Sequence, residues 1–297
     1  MAQNPRTSIC LFGAYPVRVN GKPYYLGISG STERLFQYLL VTIGNETRRE
    51  YLADLFWRGS SPAKQRSALN SAIWRIKRQL GDIDGIDLVC KGHIVFLQLA
   101  REVKVDAKEL SKIVHSISPS EPMSEDVAHS LYQALNACKV PFLDGVNSDW
   151  VLTERERLFN IQIRGMIILM HWLGKQRRYE DALEIGRRLL AADPAREAAQ
   201  CEVMLLYVLN GQRAQALRQY HEFRSWLKRE LDIEPMPETE VLFEYVRKGL
   251  NTGKSRILPK SPGNLESESK SPPFSILLGA IDRSRRELYE ALSSHLL

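Results

Sequence analysis

The chain has 297 residues, 44% of them hydrophobic and 26% charged, which is ordinary globular composition for about two domains. Its net charge of +6 is carried by residues 1–107, where 15 Lys and Arg oppose 9 Asp and Glu; residues 108–250 hold 19 against 21, and residues 251–297 hold 7 against 5. A basic segment joined to a near-neutral one points to a polyanion as the partner of the first part, and composition excludes both a disordered and a membrane-spanning class. No apolar run reaches the ~18 residues of a spanning helix, so no membrane partner is expected. The first residues, MAQNPRTSICLFG, lack a signal-peptide layout, which predicts a cytoplasmic protein.

Residues 8–26 read as a hairpin around Asn20-Gly21, a strong turn dipeptide. A helix follows from about Thr32 to Ile43, with Leu35, Leu39 and Ile43 on one face, Ser31 or Thr32 as its cap and Gly44-Asn45 as its stop. A second helix covers RREYLADLFW, residues 48–57, before RGSSP breaks the chain. Ser61 is a good N-cap and Pro62 suits the first helical position, so a third helix opens there and runs to Leu80, with Gly81 as its stop. Residues 86–99, IDLVCKGHIVFLQL, read as two strands around Lys91-Gly92. Strands, three helices and a hairpin in that order make a winged helix-turn-helix.

Residues 116–126 read as a linker by composition, and from Val127 the pattern is helical. Ala182-Leu183 and Ala216-Leu217 recur 34 residues apart, which is the tetratricopeptide period, and Asp193-Pro194 fits the turn after a repeat helix. The expected fold class is therefore mainly α with small β: a winged helix-turn-helix over residues 1–107, then an all-α, tetratricopeptide-like domain over 108–250. Residues 251–273, rich in Pro, Ser, Gly and charge, read as a disordered linker, and 274–297 as a helical tail.

Catalytic signatures are missing. The four cysteines form no CxxC, the histidines no HExxH, and there is no GxxxxGK[ST] or GxSxG. GISG at 27–30 reads as a turn. No catalytic residue, no cofactor and no metal is expected, and an enzyme is disfavoured.

The helix SPAKQRSALNSAIWRIKRQLG carries the functional signal. Leu69, Ala72, Ile73, Ile76 and Leu80 share one stripe and should be buried. Ser67, Asn70, Ser71, Trp74, Arg75 and Arg78 share the opposite side. From Lys64 to Arg78 there are five basic residues (Lys64, Arg66, Arg75, Lys77, Arg78) and no acidic one. A solvated face normally mixes signs, so a single sign calls for a partner. Double-stranded DNA supplies it: Lys and Arg displace counterions from phosphates, and Asn, Arg and Ser can hydrogen-bond base edges. Asn70, Trp74 and Arg75 are expected to read bases, and Lys64, Arg66, Lys77 and Arg78 to hold phosphates. Trp74 has two readings, one on a thymine methyl or sugar, the other packed under the hairpin. Lys91 and His93 at the hairpin tip are expected on the minor groove; the plain alternative is an ordinary surface turn.

Residues 48–81 resemble the OmpR-type winged helix of the antibiotic-pathway regulatory proteins, the SARP type. The resemblance is carried by Leu52-x-x-Leu55-Phe56-Trp57, by the Ala68-to-Leu80 pattern and by Lys91-Gly92-His93 in the wing. Residues 103–110, VKVDAKEL, resemble the transition out of that domain. Trp150 with TERERL, YEDALEIGRRLLAADPAREAAQ, NGQRAQALRQYHEF and LKRELDIEPMPETEVLF resemble the bacterial transcriptional activator domain that follows it. His93 stands where the family usually has an aromatic, and Trp74 where smaller or basic residues are usual, which puts the preferred base sequence in doubt. The resemblance implies an activator that binds promoter direct repeats as head-to-tail protomers, a homodimer on DNA, and contacts RNA polymerase. It also implies control by abundance or partner contacts, without an ATPase module or phosphoacceptor domain. The competing reading is a protein-interaction adaptor built on the helical repeats.

Overall fold

A computed structural model describes residues 7–13, 17–118 and 122–248. The linker and tail expected over 251–297 lie outside the described residues. The chain forms two compact units, Met1–Glu121 with Ser130–Ile161, and Pro122–His129 with Gln162–Leu297.

The first unit opens on β1 (Thr7–Ile9), β2 (Val17–Val19) and β3 (Lys22–Pro23). Asn20 and Gly21 both take positive φ, 51° and 77°, which closes the two-residue turn that pairs Val19 with Lys22. Strand β7 (Lys104–Val105) returns far along the chain to pair in parallel with β1, Ser8 opposite Lys104, completing the order β3-β2-β1-β7.

Helix α1 (Gly30–Val41) buries Leu35, Phe36, Leu39 and Leu40. It starts earlier and ends earlier than its apolar period implies. Ser29 occupies the cap, and the Thr42 hydroxyl donates to the Tyr38 carbonyl at 2.9 Å, so Ile43 falls beyond the last turn. Strand β4 (Thr47–Arg48) leads into α2 (Arg49–Trp57), and α3 (Pro62–Leu80) follows with Ser61 as extended cap and Pro62 first. Leu69, Ala72, Ile73, Ile76 and Leu80 are all buried, as their shared stripe requires. The hairpin is β5 (Ile86–Lys91) and β6 (Ile94–Leu99), registered from Ile86 opposite Leu99 to Lys91 opposite Ile94. Ile86, Leu88, Val95 and Leu97 turn inward, and β4 pairs along the outer side of β6.

Residues 106–116, which carry no helical expectation in the sequence, form α4 (Asp106–Ser116). Its first residue explains the position. The Asp106 carboxylate accepts from the backbone N–H of Leu11 at 2.9 Å, Phe12 at 3.1 Å and Ala107 at 2.7 Å. One half-buried side chain thus binds the exit of β1 to the first turn of α4. The first unit extends beyond residue 107, where composition places the boundary: Leu110 and Val114 are fully buried, and residues 130–161 belong to it. The Leu143 N–H donates to the Leu11 carbonyl at 2.8 Å, and Phe12 and Phe142 meet edge to face at 5.7 Å.

The helices α5 (Glu125–Ala137) and α6 (Asp149–Lys175) each contribute residues to both units. The second unit continues as α7 (Tyr179–Ala192), α8 (Glu197–Leu209), α9 (Arg213–Glu230) and α10 (Pro237–Lys248), packed in succession. The first residues of α7 and α9 are 34 positions apart, and Ala182 and Ala216 are fully buried at equivalent places. Asp193-Pro194 ends α7. The closest approach is at Gly186: a Cβ there would lie 2.6 Å from Cγ2 of Val203 and 3.2 Å from Sδ of Met170. The architecture is the expected one, a winged helix with an all-α repeat domain.

Candidate nucleic-acid interface

Helix α3 presents every polar residue expected on it. Lys64, Arg66, Ser67, Asn70, Ser71, Trp74, Arg75, Lys77 and Arg78 are all exposed. Lys64, Arg66, Arg75, Lys77 and Arg78 form no ion pair among the described residues. By contrast, most ion pairs of the second unit join residues close in sequence, such as Arg178–Asp181 and Arg247–Glu244, which cancels charge locally. Five cations on one helix without compensation repel one another, and a polyphosphate removes that cost.

Trp74 is 60% exposed, which rules out the reading in which it packs under the hairpin. The Arg78 guanidinium lies 5.5 Å from the centre of its ring. That cation–π contact holds an aromatic face and a cation together on the outer surface.

The hairpin tip carries Lys91 and His93, both exposed, on either side of Gly92 at φ 55°. Nothing approaches a Cβ built at Gly92, so the turn needs glycine for its backbone conformation and not for space. The tip is tied to the helical core by Arg49, whose N–H donates to the His93 carbonyl at 2.8 Å. The Arg49 guanidinium donates to Oδ1 of Asn70 on α3. Nothing in the local sequence singles out Arg49. Its signal was only the basic pair Arg48-Arg49 opening α2, and its partners lie 21 and 44 positions away, beyond any local pattern.

Residues 106–247 match the family described as the bacterial transcriptional activator domain. The chain is 24% identical over 251 residues to the transcriptional regulatory protein MoaR1 of Mycobacterium bovis (strain BCG / Pasteur 1173P2), covering 79% of this chain and 78% of that one. The MoaR1 protein of Mycobacterium tuberculosis is 23% identical over 249 residues with the same coverage. A solved structure of Mycobacterium tuberculosis EmbR, in complex with a low-affinity phosphopeptide, aligns with a TM-score of 0.65 and 20% identity over 82% of this chain. The match spans 65% of that EmbR chain, and it speaks for the fold. Among the described residues no helix is long and apolar enough to cross a membrane, and no three His, Cys, Asp or Glu cluster as metal ligands would.

Proposed function

We propose that the chain, whose residues 106–247 match the bacterial transcriptional activator domain, is a SARP-type, sequence-specific, double-stranded DNA-binding activator with α3 in the major groove and the β5–β6 wing on the minor groove. The observation that carries this reading is the uncompensated basic face of α3, exposed along its length opposite a buried apolar stripe. Asn70, Trp74 and Arg75 read base edges; Ser67 and Ser71 lie on the same face and add single hydrogen bonds. Lys64, Arg66, Lys77 and Arg78 bind phosphates and set the register. Lys91 and His93 meet the minor groove, where a cation gains from its negative potential.

The helical domain, near neutral overall, serves protein contacts: a second protomer on a direct repeat, and RNA polymerase at the promoter. Residues 1–107 supply the DNA-binding determinants and 108–250 the activator function. The protein works in the cytoplasm on the nucleoid and catalyses no reaction.

Selection of bound sequences from random duplex DNA by the full chain, followed by salt titration on the best site, tests the proposal. A specific regulator enriches a defined site and loses affinity steeply as salt rises. Equal, weak binding to all sequences would leave the helical domain as the functional part and favour an adaptor.

A further inference from the structure

Arg49 joins three parts of the interface that lie far apart in the chain. Its backbone N–H continues the β4–β6 ladder, in which Arg48 faces Ile94, by donating to the His93 carbonyl. Its side chain reaches α3 and donates to Oδ1 of Asn70. A guanidinium carries donors only, so the Asn70 amide must turn its oxygen to Arg49 and its Nδ2 away from it. The bond is charge-assisted, which makes the orientation firm.

That orientation bears on what Asn70 can read. An unrestrained asparagine reads adenine with both atoms, accepting from N6 and donating to N7. Here one lone pair of Oδ1 is held by Arg49 on α2, so the oxygen is turned towards that helix and Nδ2 is the atom turned away from it. We infer that Arg49 is a specificity-determining residue: by turning Oδ1 towards α2 it presents the Asn70 Nδ2 donor to the base, which selects guanine over adenine there. Guanine presents two acceptors, N7 and O6, to a donor; adenine presents N7 beside the N6 donor, which needs an oxygen that Arg49 has turned towards α2. The inference rests on the reading of α3 as the major-groove helix.

The test is sequence selection from random duplex DNA by the full-length protein and three variants, with thermal unfolding to compare folding. Asn70→Ala identifies the base position, as the one whose preference disappears. Wild type should hold guanine there, with about three- to tenfold discrimination from one such hydrogen bond. Arg49→Met frees Oδ1, and preference at that position alone should pass to adenine or flatten. Asn70→Asp keeps the acceptor for Arg49 and removes the donor, so it should lose guanine at the same position with folding intact. Asn70→Asp decides the matter if Arg49→Met does not fold. Adenine at that position in wild type, guanine retained by Asn70→Asp, or an Arg49→Met protein weakened equally on all sequences would each overturn the inference. A wild-type protein that enriches no site at all would defeat the major-groove reading itself, which is a different result from a defined site with the wrong base.

Discussion

Trp150, from the start of α6, meets the Tyr38 ring of α1 edge to face, with centroids 5.3 Å apart and planes at 84°. Tyr38 also contacts Tyr51 and Phe56 of α2, so an aromatic cluster joins the helix-turn-helix to a residue inside the activator-domain match. Burial pushes the Tyr38 hydroxyl up to about 12, so the cluster stays uncharged through the neutral range. Arg155, one turn on, donates to the carbonyls of Phe142, Leu143 and Val146. The winged-helix unit is therefore completed by residues well past residue 107.

A first prediction follows from that completion. Trp150→Ala should cost the first unit about 2 kcal/mol, below the usual value for a fully buried aromatic because Trp150 is half-buried. A fragment ending at residue 161 should unfold cooperatively. One ending at residue 107 should show a lower midpoint and expose apolar surface, since it lacks the partners of Leu11 and Phe12. Equal melting of the two fragments would refute the structural role of residues 130–161.

The second concerns Asp106. Removing its carboxylate in Asp106→Ala strands three backbone N–H groups, at about 1–3 kcal/mol for each one left buried and unpaired. Burial pushes this carboxyl above its ordinary value, outweighing the backbone N–H bonds that pull it down. A raised folded value favours the protonated form, so its contribution is present below the unfolded carboxylate range and is lost as pH rises through the folded value. Denaturant titrations across the acid range should show wild type losing stability relative to Asp106→Asn as pH increases in that window. The opposite slope would mean that the N–H bonds dominate.

A third prediction addresses the repeat domain. Gly186→Val places methyl groups where even a Cβ would meet Val203 at 2.6 Å. Overpacking of this kind costs about 1–3 kcal/mol, and the branched side chain gains little helix propensity to offset it. Gly186→Val should lower the unfolding midpoint of the helical domain, and the double variant with Val203→Ala should recover part of the loss. Without such recovery, the close α7–α8 approach is not the cause.

A fourth separates reading from positioning. Arg75→Ala should cost about 1–3 kcal/mol on the preferred site and relax one base position. Lys64→Ala or Lys77→Ala should weaken all sequences alike and lower the salt slope by about one. Competition assays against single-base site variants distinguish the two patterns, and identical patterns would void the division of roles.

The fifth concerns the wing. Lys91→Ala with His93→Ala should weaken DNA binding over a salt series and leave the melting temperature nearly unchanged, because both side chains are exposed and only the His93 backbone is bonded to Arg49. Unaltered affinity would make the tip a bystander.

Much of the fold was legible because its signals are local. The α3 stripe needs only a 3.6-residue period; Ser61-Pro62 marks its start; Asn20, Gly21 and Gly92 take the left-handed backbone that their turns favour. The exposed basic face of α3 was readable for the same reason, as was the 34-residue recurrence of α7 and α9. Helix α4 was missed because the side chain of its first residue, Asp106, binds backbone groups 94 and 95 positions away, and no local pattern records that.

By itself the sequence determined the order of the opening strands, the three helices and the hairpin, the side of α3 that is buried and the sign of charge on the side that is not, since periodicity and charge are properties of neighbours along the chain. Only the tertiary structure decided that β7 pairs with β1, that Trp150 completes the aromatic cluster, that Trp74 faces outward and that Arg49 holds Asn70. Each of these depends on which distant surfaces meet, and that is set by the burial of whole faces against one another.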